Sequence, residues 1–444
     1  MATDLKDKLK YIKKERQTRS KTEKIQNTWE NIERAENLST KEKLEHLINL
    51  TRTGKKPEAQ VPQFEPQERQ PIQFIENSYT LDVRYGKIKI AEGLDIPGDL
   101  LSCLSKDPEF ENLDLSTALF IDLETTGLSG GTGVIPFLVG MGYYREGKFH
   151  VAQYFLGDPA AEEQMLKEIN QFFSDMKFKS IVSYNGKVFD LPLLETRYIL
   201  KRQPFVLSEL PHLDFLFPAR SLWAHKLENC RLHHLALEVV GTGRTEDIPS
   251  AEIPWRYFQY IQTGNFELIE PIIYHNQEDI LSLLGVIIVG SQIFSIDSQS
   301  CEADAMDFFG AGKVLEKFGH TEKSSLYFQK AIDGQLSGEV FLSARKRLSA
   351  QFKKNQDWDK AVSLWKEMAS AETPSNNLLF SLRELAMYYE HKQKEYLEAK
   401  KMAEEGFVLA RNFSAYYERD FSLRMERLRI KINKDTDKDN ENQD

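Results

Sequence analysis

Acidic residues in three short segments of the chain form a pattern that could bind divalent cations. The first segment, residues 120–127, reads Phe-Ile-Asp-Leu-Glu-Thr-Thr-Gly and carries Asp122 and Glu124. Residues two apart in a strand lie on one face, so these carboxylates should project together while Ile121 and Leu123 enter the core. Two adjacent carboxylates repel each other unless a cation lies between them. The segment therefore predicts a strand end that binds metal.

The second segment, residues 184–194, contributes Asn185, Lys187 and Asp190 at a predicted turn from a strand into a helix. Asparagine can bond backbone groups in such a turn. We expect Phe189 to pack beneath the helix while Asp190 faces the cavity.

The third segment, residues 274–283, contains Tyr274, His275 and Asp279. On a helix, His275 and Asp279 are four residues apart and therefore share one face. A histidine one turn from a metal-bound carboxylate can position or deprotonate a water molecule.

The order Asp-x-Glu, Asn-x-x-x-Phe-Asp and His-x-x-x-Asp resembles the DEDD superfamily of 3′–5′ exonucleases, over roughly residues 115–290. These enzymes share the ribonuclease-H-like fold. The segments 122–144 and 212–220 resemble more closely the bacterial YprB-like family, in which a nuclease-like domain is joined to tetratricopeptide repeats.

The resemblance implies that two Mg²⁺ or Mn²⁺ ions are bound by the acids of the three segments, and oxygen-only ligands suit these hard ions. Two such ions can activate a water molecule and stabilise the leaving 3′-oxygen of a phosphodiester. By this resemblance, the four metal-binding and catalytic carboxylates would be Asp122, Glu124, Asp190 and Asp279. The substrate-binding residues expected beside them are Thr125, Asn185, Lys187 and Arg220.

The residue that handles the proton is left open between Tyr274 and His275. Histidine-type members of the superfamily usually place His five residues before the last Asp, and tyrosine-type members place Tyr four before it. Here Tyr274 stands five residues before Asp279 and His275 stands four before it. We favour His275 as the catalytic base, because imidazole titrates nearer neutrality than phenol.

The elements that must position these residues form an α/β pattern, a mixed sheet flanked by helices within a domain predicted at 74–295. Strands are predicted at 115–123, 134–144, 148–156 and 180–184, the first three as a meander. Helices are predicted at 160–173 and 189–201. A hairpin-like passage is predicted at 79–90, and Trp223, Trp255 and Tyr257 are expected in the core.

Helix pairs replace strands in the region predicted at 296–432. Small residues Ser325, Ala361 and Ala399 recur 36 and 38 residues apart in the second helices, 323–332, 358–369 and 396–406. This period resembles tetratricopeptide repeats, which would form an all-α domain that binds a protein partner. An unrelated helical bundle is the alternative.

The two ends of the chain are predicted to be charged. Residues 1–73 read as a charged helical extension followed by a linker rich in proline and glutamine, and residues 433–444 as a disordered polar tail. The net charge of −10 is unusual for a nucleic-acid binder, but residues 1–24 carry nine basic and four acidic side chains. Three scattered cysteines favour the cytoplasm, and we expect no membrane contact.

The sequence thus predicts a metal-dependent 3′–5′ exonuclease that cleaves DNA or RNA by a two-metal mechanism. The alternative is an inactive nuclease-like scaffold that binds nucleic acid or protein through its helical repeats. A third reading makes the repeats the main function and the basic N-terminal helix a docking tail.

Overall fold

A computed structural model describes residues 70–127, 133–243, 248–295, 303–334, 336, 338–370 and 375–441. Nearly all of the predicted N-terminal extension and its linker lies outside these ranges. The chain from residue 66 onward forms one compact unit.

The centre of this unit is a six-stranded mixed sheet with the order β1-β6-β5-β4-β7-β8. A separate two-stranded hairpin turns at Gly86, whose φ of 57° is in the left-handed region that glycine tolerates. The strands are β1 (Ile72–Thr80), β2 (Arg84–Tyr85), β3 (Ile88–Lys89), β4 (Ala118–Thr125), β5 (Pro136–Arg145), β6 (Lys148–Leu156), β7 (Ser180–Ser183) and β8 (His212–Asp214).

The predicted meander is confirmed, because β4 pairs antiparallel with β5 and β5 pairs antiparallel with β6. On the other side, β7 runs parallel to β4 and β8 runs parallel to β7. The carboxyl ends of β4, β7 and β8 therefore meet at one edge of the sheet. This edge carries the first two acidic segments.

Strand β1 was missed by the sequence interpretation, which assigned part of it to the linker and part to the hairpin-like passage. It pairs antiparallel with β6 along its whole length, from Ile72 opposite Leu156 to Thr80 opposite Lys148. It is an edge strand, and all nine of its residues are exposed or half-buried. The strand consequently lacks the apolar alternation that would have revealed it. Only residues 84–89 form the hairpin.

Helices cover the sheet, and the longest of them, α7, supplies the third acidic segment. The helices of this region are α1 (Gly98–Ser105), α2 (Glu162–Met176), α3 (Asp190–Leu200), α4 (Leu216–Trp223), α5 (Leu232–Leu235), α6 (Ile253–Thr263) and α7 (Glu270–Gln292). Among the described residues, α7 with the turn before it is long and apolar enough to cross a membrane, but 78% of its apolar window is buried inside the protein. It is a core helix, as the sequence indicated.

Two of the three aromatic residues expected in the core are buried there. Trp223 and Tyr257 are each 1% exposed, whereas Trp255 is 56% exposed. The expectation for Trp255 was wrong. It lies two residues before Tyr257 on α6, and one face of that helix contacts the sheet while the opposite face points outward.

Seven helices form the C-terminal region within the described residues, and consecutive helices pack against each other. They are α8 (Ala305–Lys317), α9 (Thr321–Asp333), α10 (Gly338–Lys354), α11 (Trp358–Ala369), α12 (Asn376–Tyr388), α13 (Tyr396–Ala410) and α14 (Ala415–Glu441). The predicted second helices correspond to α9, α11 and α13.

The small residue at the first helix contact is Ser324, and not Ser325 as predicted. Ser324 is fully buried and donates a hydrogen bond to the carbonyl of Gly312 at 2.9 Å, whereas Ser325 is half-buried. Ala361 and Ala399 are fully buried, as expected. The tetratricopeptide interpretation itself stays a prediction.

Helix α14 extends through Glu441, so the tail predicted as disordered from residue 433 is helical over most of its length. Most residues of 433–441 are aspartate, asparagine or threonine, which have low helix propensity, so the local composition did not indicate that the preceding turns continue.

Candidate functional site

The carboxylates of the first segment lie where β4 ends at the edge of the sheet. Ile121 and Leu123 are buried, at 1% and 8% exposure, and Asp122 and Glu124 are half-buried on the opposite face. The predicted alternation is therefore confirmed.

Helix α7 brings the third segment directly against this strand. His275 Nε2 lies 3.7 Å from Glu124 Oε1 and 3.3 Å from Asp279 Oδ2. The side chains of all three residues are at least four-fifths buried. One donor atom from each lies within 4.8 Å of the others, a spacing suited to a metal ion. His275 thus faces the acids, whereas its neighbour Tyr274 is 48% exposed.

Asn276 is a residue of the candidate site that the sequence interpretation missed. Its Nδ2 donates hydrogen bonds to Asp122 Oδ2 at 2.8 Å and to the Asp122 carbonyl at 3.2 Å. Its Oδ1 accepts a hydrogen bond from Gln153 Nε2 at 2.8 Å. Gly140 lies opposite Asp122 on β5, and a Cβ there would meet Asn276 Oδ1 at 2.0 Å. Asn276 therefore fixes the orientation of the Asp122 carboxylate.

Replacing Asn276 with alanine should lower the free energy of unfolding by about 1–3 kcal/mol, because it leaves buried partners unsatisfied on both sides. Urea denaturation measures this change. Asn112→Ala, at an exposed position, is the matched control and should change stability by less than about 0.5 kcal/mol. Equal effects of the two substitutions would mean that the hydrogen bonds linking Gln153, Asn276 and Asp122 do not contribute to the free energy of unfolding.

Asp190 begins α3, and the loop before it is organised by Asp214 at the end of β8. The Asp214 carboxylate accepts hydrogen bonds from the backbone N–H groups of Asn185 at 2.7 Å, Lys187 at 3.1 Å and Leu216 at 3.2 Å. Asn185 adopts a φ of 68°, a conformation that asparagine tolerates better than most residues. Asp214 is 3% exposed, so it positions the loop and does not line a groove.

The electrostatics of the site disfavour four ionised acids without a cation. Burial, followed by the negative charges of Asp279 and Glu124 and then of Asp190, holds the pKa of Asp122 well above its ordinary value. Burial raises the pKa of Asp190 to about 7, and the negative charge of Asp214 contributes to the shift. The acids of all three segments therefore lie within electrostatic reach of one another.

A pH dependence of stability follows for the metal-free protein. Asp190 has a folded pKa of about 7 against an ordinary 3.8, so folding favours its protonated form. Its contribution to stability is fully present below pH 3.8 and is lost as the pH rises through about 7. We expect Asp190→Asn, which cannot ionise, to unfold at a temperature that increasingly exceeds that of the native protein across this range.

Buried histidines change stability with pH in the opposite direction. Comparing the native protein with Asp190→Asn at each pH cancels their effect, because both proteins contain them. Burial lowers the pKa of His212 to about 3 and of His225 to about 4, so these residues destabilise the fold as the pH falls below 6.5. Differential scanning calorimetry in EDTA measures both melting temperatures. A difference that stays constant between pH about 4 and about 8 would contradict the buried, titrating Asp190.

A cavity of about 210 Å³ lies beside the acids and is lined by Glu124, Thr125, Phe189 and Asp190, among other residues. Phe189 is 54% exposed, so the expectation that it packs beneath α3 was wrong. It immediately precedes the first helical residue, outside the face of α3 that contacts the sheet. Its ring is consequently left at the cavity.

The four predicted substrate-binding residues are only partly brought together. Thr125 lines the cavity beside the acids, and its Oγ1 donates a hydrogen bond to the Gly127 carbonyl at 2.7 Å. Asn185 and Lys187 lie in the loop before Asp190, where Lys187 is exposed. Arg220 lines a different cavity, between α1, α4 and α8.

The sheet topology and the clustered acids define a ribonuclease-H-like domain, and comparison with known families agrees. Residues 119–289 match the family model RNase_H_2, described as RNase_H superfamily. The chain is 30% identical over 331 residues to "Uncharacterized protein YprB" of Bacillus subtilis (strain 168), an alignment that covers 74% of this chain and 78% of that protein. The chain belongs to the YprB family.

Among solved structures, the family B DNA polymerase from the hyperthermophilic archaeon Pyrobaculum calidifontis aligns with a TM-score of 0.31 and 10% identity. The alignment covers 71% of this chain and 46% of the polymerase chain, so this chain spans less than half of that protein. A similarity this low does not inform the function.

Proposed function

We propose that the protein is a metal-dependent 3′–5′ exonuclease that hydrolyses phosphodiester bonds of DNA or RNA with two Mg²⁺ or Mn²⁺ ions. The observation that carries the proposal is the partly desolvated carboxylate of Asp122, which lies among three further acids. Such a cluster is stable as a set of anions only with cations among them.

The donor set fits two hard divalent ions. Asp122, Glu124, Asp190 and Asp279 would hold them through carboxylate oxygens, the ligands that Mg²⁺ and Mn²⁺ prefer. When bound, the ions would supply charge stabilisation for the attacking and leaving oxygens of the phosphodiester. The hydrogen bond from Asn276 keeps one oxygen of Asp122 in a fixed direction.

His275 is the residue best placed to accept a proton from the attacking water. Its Nε2 lies beside Glu124 and Asp279. Once these carboxylates hold cations, the Nε2 of a neutral ring could accept a proton from a water at the acids. Tyr274 is half exposed. Their different burial favours His275 over Tyr274 as the base.

The cavity beside the acids offers a place for the terminal nucleotide. Phe189 presents an exposed aromatic ring to this cavity, and such a ring can stack on a base without selecting its identity. Thr125 lines the same cavity. This arrangement supports a nuclease of low sequence preference.

A protein partner on the C-terminal helices remains a prediction. The exposed apolar side chains of Leu397, Val408 and Tyr416, at 71%, 67% and 66% exposure, could provide contact area for one. The alternative of an inactive scaffold predicts binding without cleavage.

The test of the proposed function uses single-stranded DNA and RNA labelled at the 5′ end, with Mg²⁺ or Mn²⁺ present. A 3′–5′ exonuclease shortens these substrates progressively and leaves a circular single strand intact. Release of the labelled 5′ nucleotide as the first product, or cleavage of the circle, would overturn the exonuclease assignment. Complete resistance of every substrate would favour the scaffold.

A further inference from the structure

A second cavity, of about 280 Å³, lies where the α/β domain contacts the first C-terminal helix. Four basic residues line it: Lys106 after α1, Arg220 on α4, and Lys313 and Lys317 on α8. Lys106, Arg220 and Lys317 are exposed, and Lys313 is half-buried. Three separate elements thus direct positive charge at one space.

The ammonium group of Lys313 is held in this cavity without being neutralised. His225 Nε2 lies 2.7 Å from the Met306 carbonyl, which can only accept, so Nε2 carries the proton and Nδ1 is an acceptor. Lys313 Nζ lies 3.1 Å from that Nδ1 and therefore donates to a neutral ring. Burial, with the nearby charges of Arg347 and Lys317, lowers the pKa of Lys313 to about 8.

Acidic residues close to the cavity are already engaged elsewhere. Glu316 pairs with Arg347, and Asp304 and Asp307 each lie 2.8 Å from Lys226 Nζ. Within the part of the chain that the structure describes, none of the four basic residues lining the cavity forms an ion pair with a carboxylate. A half-buried lysine among other cations is costly unless an anion joins it. The cavity consequently has the chemistry of an anion site.

An exposed aromatic ring at the cavity favours nucleic acid over other anions. Phe217 lines the same cavity and is 45% exposed, so an aromatic ring stands beside the cations. Cationic grooves with exposed aromatic rings are the common arrangement for single-stranded nucleic acid, since the cations contact phosphates and the rings stack on bases.

One cation of the cavity also acts on the short segment that leads to the proposed catalytic site. The charge of Arg220 acts on Tyr184, whose hydroxyl donates a hydrogen bond to the Cys230 carbonyl. Tyr184 directly precedes the loop that leads to Asp190, and Lys187 in that loop is exposed. Residues 184–190 therefore run from a tyrosine that feels the charge of Arg220 to Asp190 of the acid cluster.

We infer that this basic cavity binds the phosphate backbone of a single-stranded nucleic acid whose end lies at the carboxylates. The inference rests on the proposed function for its substrate class and adds the path of the strand away from the site. The helical region then contributes directly to substrate binding through Lys313 and Lys317.

The experiment measures binding without cleavage, by fluorescence anisotropy of labelled oligothymidine in EDTA between about 50 and about 200 mM salt. Lys313→Gln combined with Arg220→Gln should weaken binding at least about tenfold. It should also reduce the slope of log affinity against log salt by roughly 1.4, about 0.7 for each phosphate contact removed. Phe217→Ala should weaken binding about fivefold or more with an unchanged slope.

The control pair Lys366→Gln and Lys401→Gln removes the same charge from exposed positions on α11 and α13, and should leave affinity and slope close to those of the native protein. Thermal unfolding of each variant checks its fold, and Arg220→Gln alone serves if the double variant is unstable. Equal effects of the pocket and control pairs, or no binding by the native protein, would overturn the inference. If polyglutamate binds as tightly as oligothymidine, and its binding is lost in the same double variant, the cavity does not select nucleic acid and that part of the inference is overturned.

Binding in EDTA separates this inference from the proposed function. Loss of binding in the pocket variant would support the cavity as a nucleic-acid site even if the protein cleaves nothing. If the variant with Lys313→Gln and Arg220→Gln binds as tightly as the native protein, the cavity is not the nucleic-acid site. The exonuclease proposal would be unaffected by that result.

Discussion

Asp122→Asn is expected to lower metal-dependent cleavage by about a thousandfold or more, the largest effect of any single substitution in the chain. The change removes one carboxylate oxygen from the centre of the acid cluster, where Asp122 interacts with all three other acids. The amide oxygen that replaces it can still accept the hydrogen bond from Asn276. Initial rates on end-labelled single strands at saturating Mn²⁺ measure the loss.

The same variant should unfold at a higher temperature than the native protein when both are free of metal. Neutralising Asp122 removes a desolvated charge that its neighbours repel. Added Mn²⁺ should then stabilise the native protein far more than the variant. Full activity in the variant, or equal stabilisation of both proteins by Mn²⁺, would show that Asp122 is not a metal ligand.

His275→Ala should lower kcat by about 10²–10⁴-fold, because it removes the proposed proton acceptor beside Glu124 and Asp279. Tyr274→Phe is the matched comparison, since it removes only a hydroxyl from a half-exposed ring on the adjacent position. We expect this second variant to retain activity within about threefold of the native protein.

The pH dependence of kcat distinguishes a proton acceptor from a residue that only packs beside the acids. Loss of His275 should remove one limb of the profile, whereas a packing role would lower the rate equally at every pH. A large loss in Tyr274→Phe with little change in His275→Ala would reverse the assignment and place the protein with the tyrosine-type enzymes.

The acids could be predicted from the sequence because their geometry is local. Asp122 and Glu124 share a face by strand alternation alone, and His275 and Asp279 share one by helical spacing alone. The contact between the three segments could not be derived from local spacing, because it depends on the tertiary structure. The apolar runs of β4 and α7 made this contact plausible, since both elements must be buried in the core.

Asn276 could not be assigned in the same way, because its role depends on the pairing of two strands. It fits against Asp122 only since Gly140 lies opposite that residue on β5 and leaves room for an amide. Its position next to His275 was the one available signal. Lys313 was missed for a similar reason, because its environment is created by helices from two separate regions.

For two aromatic residues the sequence interpretation predicted burial where the structure shows exposure. Phe189 and Trp255 were expected to be buried, yet each lies on the outer side of a helix or at its start. Hydrophobicity predicts burial on average, but the orientation of the helix decides the individual case. The exposed ring of Phe189 lies at the cavity beside the acids, where the proposed stacking on a base would explain its exposure.

The most direct test of the metal site is anomalous diffraction from crystals of the protein soaked in Mn²⁺. We expect two peaks about 4 Å apart among Asp122, Glu124, Asp190 and Asp279, and neither peak in crystals of Asp122→Asn. The absence of both peaks from the native protein, or one ion bound by His275 Nε2 with Glu124 and Asp279, would contradict the two-metal site.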